Sequence, residues 1–130
     1  MKKLLLSLWA LSLTTFVLAA EHTAFSPDKR LHLTVKDDGG QPTYTLNYDG
    51  LEVIKPSKLG LKADYGDFTQ GMKIVEATEK AVQTVYDMTR TKRAHVDQKA
   101  TMLTLKLVND KGYPLQITFY IANNDVAYRY

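Results

Sequence analysis

The sequence of 130 residues contains no cysteine. This absence excludes a disulfide scaffold, a cysteine-ligated zinc or iron–sulfur site, a thiol nucleophile and a lipid-modified N-terminal cysteine. The sequence also has no internal repeat, no nucleophile-elbow serine motif and no phosphate-binding glycine loop. With 45% hydrophobic and 24% charged residues, it has the composition of a folded protein. Its length predicts a single domain.

The first twenty residues have the pattern of an export leader. Lys2 and Lys3 precede an apolar stretch over residues 4–18 that only Ser and Thr interrupt. This stretch is shorter than the ~20 apolar residues that a membrane-spanning helix needs, and the small residues Ala19 and Ala20 follow it. The pattern predicts a signal peptide over residues 1–20, cleaved after Ala19 or after Ala20. The alternative is an uncleaved membrane anchor.

The net charge changes once this leader is set aside. Removing Lys2 and Lys3 from the 17 basic residues leaves 15 against 14 acidic residues, so the formal charge falls from +3 to +1. A nucleic-acid-binding domain would carry clustered positive charge. The one local cluster, Arg90–Arg93, is predicted to be a solvated loop. We therefore expect an exported, periplasmic chain with no nucleic-acid partner and no membrane contact after cleavage.

Most of the remaining sequence alternates apolar and polar residues with the period of two that half-buried strands show. Clusters of Gly, Asn, Asp, Ser and Pro separate these stretches and predict turns. The pattern predicts seven to nine strands in an all-β, antiparallel sandwich with each sheet packed on one face. The clearest strands are predicted over residues 31–36, 43–48, 103–108, 115–121 and 126–130, and the turns over residues 26–29, 37–40, 49–50, 109–112 and 123–125.

Two segments are harder to interpret. Leu51–Lys55 is predicted to pair across the Asp-Gly turn until Pro56 interrupts the ladder, and Leu59–Leu61 to begin a short strand or a bulge. The segment Met72–Tyr86 fits either an amphipathic helix or two strands with a break near residues 79–80. We favour the two strands because β-branched residues are frequent there. A loop is predicted at Tyr65–Asp67.

The last predicted strand, Val126–Tyr130, has no turn or charged tail after it. We expect it to pair with Pro114–Ile121 and to leave an unfinished, apolar sheet edge, which is an aggregation hazard. We therefore expect the chain to be the front part of a longer protein, with a sandwich that is incomplete at its C-terminal end.

Three stretches occur in an order and spacing that carry a family resemblance. The first runs from Ser26-Pro27-Asp28 through the alternating strand to Thr43-Tyr44, and the second joins the hairpin Tyr48-Asp49-Gly50 to Pro56–Leu61. The third is Asn123–Tyr130. Together they resemble the N-terminal domain of glycoside hydrolase family 97, which includes α-glucosidases and retaining α-galactosidases. The family more often has Phe where this chain has Tyr128.

The resemblance implies an exported enzyme of a Gram-negative bacterium. Such an enzyme has an N-terminal super-sandwich of galactose-mutarotase type, a central (β/α)₈ barrel and a small C-terminal β domain. Catalytic carboxylates and most calcium-ligating glutamates lie in or after the barrel, so calcium and the oligosaccharide substrate belong to the full-length enzyme. No catalytic, cofactor-binding or metal-binding residue of the family matches a position here. We expect this chain to help shape the pocket and to be inactive alone.

A search for chemistry in the residues themselves agrees with that expectation. Glycoside hydrolysis requires two carboxyl groups that face each other across the scissile bond. Asp37 and Asp38 form the first candidate pair and are expected to bond turn backbone. Asp64 and Asp67 form the second pair, whose spacing lacks the alternating ligands of a calcium loop. Glu76 and Glu79 form the third pair and are expected to face solvent.

The three histidines, His22, His32 and His95, lie far apart in the sequence, and His32 is expected on the outer face of its strand. A metal site would require such ligands to converge. The single tryptophan, Trp9, lies in the leader.

Aromatic side chains stack on sugar rings, so the tyrosines are candidates for a sugar-binding platform. Tyr44 and Tyr48 share the face of Leu46 and are predicted to pack in the core. Tyr120 lies on the opposite face from Phe119 and is the best candidate for an exposed or interdomain aromatic.

Two functions remain open. The preferred one is the N-terminal part of an exported α-glycosidase. The alternative is a free-standing exported sandwich that binds a glycan or a protein.

Overall fold

The computed structural model describes residues 20–90, 92 and 94–130. The predicted leader therefore lies outside the described residues except for Ala20, and so do Thr91 and Arg93 of the predicted loop. Arg90 and Lys92 are exposed between two strands. In the part of the chain that the structure describes, no helix has the length and apolarity to cross a membrane.

The described residues form ten strands. They are β1 (Glu21–Phe25), β2 (Leu31–Lys36), β3 (Thr43–Tyr48), β4 (Leu51–Lys58), β5 (Lys62–Ala63), β6 (Gly66–Asp67), β7 (Lys73–Asp87), β8 (His95–Val108), β9 (Pro114–Ile121) and β10 (Val126–Arg129). Eight of them form two four-stranded antiparallel sheets, with strand orders β1-β2-β3-β4 and β10-β9-β8-β7, and β5 and β6 form a separate two-residue ladder. This confirms the predicted all-β antiparallel sandwich, with more strands than expected because β1 and the β5–β6 ladder carry little periodic signal.

One core lies between the two sheets. The alternating apolar residues of β2, β8 and β9 point inward, while most of their polar neighbours remain half-buried or exposed. Burying one such side chain is worth ~1.5–3 kcal/mol, so these three strands provide most of the driving force for folding. The largest fully buried side chains from them are Leu33, Val35, Leu105, Leu107, Ile117, Phe119 and Ile121.

The predicted turns are present. Asp49 and Gly50 have φ angles of 49° and 80°, which is the type I′ geometry that suits the twist of a two-residue hairpin. The Lys29 amide donates to the Ser26 carbonyl at 2.9 Å, and the Gly112 amide donates to the Asn109 carbonyl at 2.9 Å. The predicted pairing of the last strand is also confirmed, because Val126 lies opposite Ile121.

The ladder is interrupted at Pro56, as predicted, because the register shifts between Tyr44 and Leu46, where β4 has an extra residue. The strand does not stop there, however. Strand β4 continues to Lys58, beyond the predicted end at Lys55, and Ser57 again lies opposite Tyr44. Proline has no amide proton to donate, so an edge strand with a bulge accommodates it without breaking the sheet.

The segment that follows also differs from the prediction. No strand or bulge begins at Leu59–Leu61; Leu59 is buried, and Gly60 adopts a φ of 135°. A Cβ at Gly60 would lie 2.5 Å from the Phe68 carbonyl oxygen, so only glycine fits this close approach. The predicted loop at Tyr65–Asp67 is the turn and second strand of the β5–β6 hairpin.

Both interpretations of Met72–Tyr86 are wrong, because Lys73–Asp87 is a single strand of 15 residues. Its partner β8 has 14 residues and pairs with it from Val108 to His95. There is no break at Glu79 and Lys80, which lie opposite Leu103 and Met102. The ladder with β8 has a bulge between Ile74 and Glu76 and is regular from there to Asp87. This pairing outweighs local helix preference, and the two charged side chains are exposed.

Candidate functional site

Asp37 is the most buried of the candidate carboxylates, with 8% of its surface exposed. Its Oδ1 accepts a hydrogen bond from the Ala20 amide at 2.7 Å, and its Oδ2 accepts one from the Ile74 amide at 2.9 Å. It therefore fastens the start of the first sheet to the start of β7. Asp37 is therefore structural, but it does not bond the backbone of its own turn as expected; it joins two distant segments instead. Its partner Asp38 is exposed in a short 3₁₀ turn.

The second pair flanks the β5–β6 hairpin. Asp67 accepts hydrogen bonds from the Thr69 hydroxyl and, at 2.9 Å, from the Thr69 amide. The Lys62 ammonium lies 3.4 Å from the same carboxylate. The bonds from Thr69 are the main reason why the pKa of Asp67 is below its usual value. Asp64 is exposed in the turn of this hairpin, so the contacts that hold the hairpin come from Asp67.

The third pair is exposed, as predicted. Glu76 accepts a hydrogen bond from the Lys106 ammonium at 2.7 Å, which lowers the pKa of the glutamate. Glu79 lies three residues further along β7.

The direction of these shifts limits the chemistry. A general acid in glycoside hydrolysis needs a raised pKa so that it holds a proton near neutral pH. Every described carboxyl group whose pKa departs clearly from its usual value is shifted downward instead, because hydroxyl, amide or cationic donors stabilise the charged form. These groups are Asp28, Asp49, Asp67 and Glu76.

The three histidines lie on three different strands. The His32 ring meets the Phe25 ring edge-on at 4.5 Å, and its Nε2 lies 2.9 Å from the Lys29 carbonyl oxygen. His95 Nδ1 lies 2.7 Å from the Asp87 carboxylate, and His22 is half-buried in β1. Among the described residues, no group of three His, Asp or Glu side chains is placed to hold a metal ion.

Tyr44 and Tyr48 pack against the core, as predicted. Tyr44 also belongs to an aromatic cluster that periodicity does not reveal, formed with Phe119, Tyr128 and Tyr130. Ring centroids within this cluster are 5.3 to 6.1 Å apart. The Tyr130 hydroxyl accepts a hydrogen bond from the Gly60 amide at 3.0 Å. The cluster ties the end of β10 to the first sheet.

Tyr120 is half-buried on the outer face of the second sheet. The Arg129 guanidinium carbon lies 5.7 Å from the centre of its ring, in cation–π range. A ring that faces a guanidinium has less free surface for a sugar to stack on.

A cleft with a volume of about 920 Å³ lies beside Asp37. Its charged lining consists of three carboxylates and one ammonium group, from Asp37, Asp38, Asp110 and Lys73. The lining also includes Ala20 and three glycines, and it contains no aromatic side chain. It therefore lacks the stacking surface that a sugar site commonly uses.

Comparison with known proteins assigns the fold. The family model described as "Glycosyl-hydrolase 97 N-terminal" matches residues 15–130. The chain belongs to this family. The resemblance carried by the three sequence stretches is thereby confirmed.

One curated relative is a probable retaining alpha-galactosidase from Streptomyces bingchenggensis. It is 27% identical over 132 residues, which cover 92% of the present chain and 20% of the relative. The family 97 N-terminal chain thus spans about a fifth of the length of this enzyme.

Solved structures agree. A crystal structure of a beta-arabinopyranosidase matches with a TM-score of 0.80 and 33% identity, over 82% of the present chain and 17% of that protein. A glycoside hydrolase family 97 enzyme from Pseudoalteromonas sp., solved with panose and with acarbose, matches with a TM-score of 0.75 and 20% identity over the same shares. The second likeness is one of fold.

Proposed function

We propose that this chain is the N-terminal β-sandwich portion of an exported α-glycosidase that hydrolyses α-glucosides or α-galactosides. Its role is to help shape the carbohydrate pocket, and it contributes no catalytic residue of its own. The observation that carries the proposal is the family match over residues 15–130, together with a span of only 20% of the matched alpha-galactosidase.

The contacts of the carboxylates support the proposal that the catalytic residues lie outside this chain. The carboxylates with the most contacts accept hydrogen bonds from backbone amides, a hydroxyl or an ammonium group. Asp37 bonds two amides, Asp67 bonds Thr69, and Glu76 bonds Lys106. In this proposal, the acid and the nucleophile or base come from a catalytic barrel that follows the sandwich.

The proposal assigns the oligosaccharide substrate and a calcium ion to the full-length enzyme. The family relative from Pseudoalteromonas sp. was solved with panose and with acarbose, which are both oligosaccharides. The acidic, aromatic-free cleft of the present chain offers no comparable stacking surface. The leader over residues 1–20 would direct the enzyme to the periplasm.

Reading the coding DNA beyond the codon for Tyr130 tests this assignment. We expect the frame to continue into a segment long enough for a barrel, or to do so once a frameshift is corrected. A stop codon at that point with no hydrolase sequence downstream would contradict it.

A thermal-unfolding experiment on the 130-residue chain distinguishes the proposed function from the alternative, a free-standing glycan-binding sandwich. A ligand that binds only the folded state raises the melting temperature. We expect no shift with malto-oligosaccharides or α-galactosides, whereas a saturable upward shift would favour the binding protein.

A further inference from the structure

The contacts of Ala20, the first described residue, distinguish the two possible cleavage sites of the leader. Signal peptidases cut after small residues, and the sequence allows a cut after Ala19 or after Ala20. The two products differ by one residue, which is the residue that contacts Asp37.

Ala20 directly precedes β1 and makes two hydrogen bonds with Asp37, the residue that follows β2. The Asp37 amide donates to the Ala20 carbonyl at 3.2 Å, and the Ala20 nitrogen donates to the Asp37 carboxylate at 2.7 Å. The first bond continues the β1–β2 pairing beyond Glu21, which lies opposite Lys36. A cut before Ala20 therefore keeps both bonds, whereas a cut after it removes both.

Asp37 is an acidic side chain that is 8% exposed. Buried carboxylates are almost always paired with a cation or several donors, because an unpaired buried charge is costly. None of the ion pairs between described side chains includes Asp37; its partners are two neutral amides. One of these two donors, the Ala20 nitrogen, is the atom that would carry a positive charge after a cut before Ala20.

The surroundings favour a cation at that position. Ala20 lines the large cleft together with the carboxylates of Asp37, Asp38 and Asp110, against the single ammonium of Lys73. The distance of 2.7 Å from the Ala20 nitrogen to Asp37 Oδ1 already lies in the range of charge-assisted N⁺–H···O⁻ bonds. Ala20 is only half-buried, so the other protons of an ammonium group could reach water in the cleft.

We propose that the leader is removed between Ala19 and Ala20, and that the new α-ammonium of Ala20 forms an ion pair with the buried carboxylate of Asp37. Processing then strengthens this contact, because it converts a neutral backbone donor into a cation, which no ion pair between described side chains supplies to Asp37. This inference rests on the proposed export of the chain.

The first test is the mass of the exported product. The full 130-residue chain is produced with its own leader in a Gram-negative host, and the intact mass of the periplasmic protein is measured. We expect a chain that begins at Ala20. A chain that begins at Glu21 or elsewhere overturns the inference and leaves export standing, whereas a precursor retained uncut overturns both.

The second test measures the ion pair. We expect acetylation of the Ala20 α-amine to lower the melting temperature of the processed chain by about 5 °C, since ~1 kcal/mol corresponds to ~4–8 °C in a domain of this size. The shift should vanish in Asp37→Asn and persist in the exposed control Asp38→Asn. An equal shift in Asp37→Asn, or none in the unchanged sequence, overturns the pairing. The mass measurement decides the cleavage site even if Asp37→Asn fails to fold.

Discussion

The two ends of the long β7–β8 hairpin differ in what holds them. Near the sandwich, Leu103, Leu105 and Leu107 of β8 are buried in the common core. At the other end, which we call the outer hairpin, residues 83–87 pair with residues 95–99, and Val96 alone among these ten is even half-buried. The same ladder runs through both ends. A regular strand pairing therefore does not imply a hydrophobic core. Only the end near the sandwich, which we call the inner end, should contribute much to the free energy of unfolding.

The outer hairpin is held by backbone bonds and polar pairs. Gln83 donates to Asp97 at 2.7 Å, and His95 lies 2.7 Å from Asp87. Exposed pairs of this kind are worth little individually. The outer hairpin is consequently the place where the described structure should open most easily.

The largest effect is expected in the inner end. Leu105→Ala removes a fully buried side chain from β8, and should lower the free energy of unfolding by ~3 kcal/mol through lost burial and a residual cavity. Urea unfolding followed by circular dichroism measures it. A loss below ~1 kcal/mol would show that the inner end is not the packed one.

A matched pair of valines sharpens the contrast. Val35 of β2 is fully buried in the core that the inner end of the β7–β8 hairpin shares, whereas Val85 is 55% exposed in the outer hairpin. Val35→Ala should lower the free energy of unfolding by ~2 kcal/mol and Val85→Ala by less than ~0.5 kcal/mol. Equal losses in the same unfolding experiment would show that the outer hairpin is packed as tightly as the core.

Replacing residues 83–99 by a two-residue Asn-Gly turn removes the outer hairpin altogether. Val82 and Ala100 lie opposite each other, so the turn would close a regular hairpin. We expect cooperative unfolding with a free energy within ~1 kcal/mol of the full chain, since little apolar surface is lost. A molten or aggregated product would mean that the outer hairpin supports the core.

The smallest effect concerns the ion pair between Glu76 and Lys106 on the exposed face of the inner end. The folded-state pKa of the Glu76 carboxyl is lowered, chiefly by the hydrogen bond from Lys106. The pair thus favours the folded state above the unfolded-state pKa of the carboxyl, and this contribution disappears as the pH falls through the folded-state pKa. NMR titration should show the pKa of Glu76 rising toward its usual value in Lys106→Met and unchanged in Lys80→Met. An unchanged pKa in Lys106→Met would disprove the assigned cause.

The same contrast explains which parts of the fold could be predicted from sequence. Alternating Leu103, Leu105 and Leu107 predict a strand because one face is buried, and Asp49-Gly50 predicts a hairpin because the turn requires two positive φ angles. Strand β7 carries no such signal, because only Ile74, Ala77 and Val82 are even half-buried along its length. Its conformation depends on pairing with β8.

The features of the candidate site depend on contacts that no local pattern contains. The Asp37 carboxylate joins amides that lie 17 and 37 residues away in sequence, and the Tyr130 hydroxyl meets Gly60 across 70 residues. An Asp in a turn is ordinarily explained by its own turn. The sequence therefore identified Asp37 as structural without showing which strands it joins.

A hydrolysis assay tests most directly the claim that this sandwich supports catalysis and does not perform it. The purified 130-residue chain would be incubated with aryl α-glucosides and aryl α-galactosides, beside the product of the longer reading frame that the proposed function expects. We predict release of the aryl group by the longer product and none by the 130-residue chain. Hydrolysis by the 130-residue chain that is lost on replacing one of its own carboxylates, such as Glu79→Gln, would contradict the account.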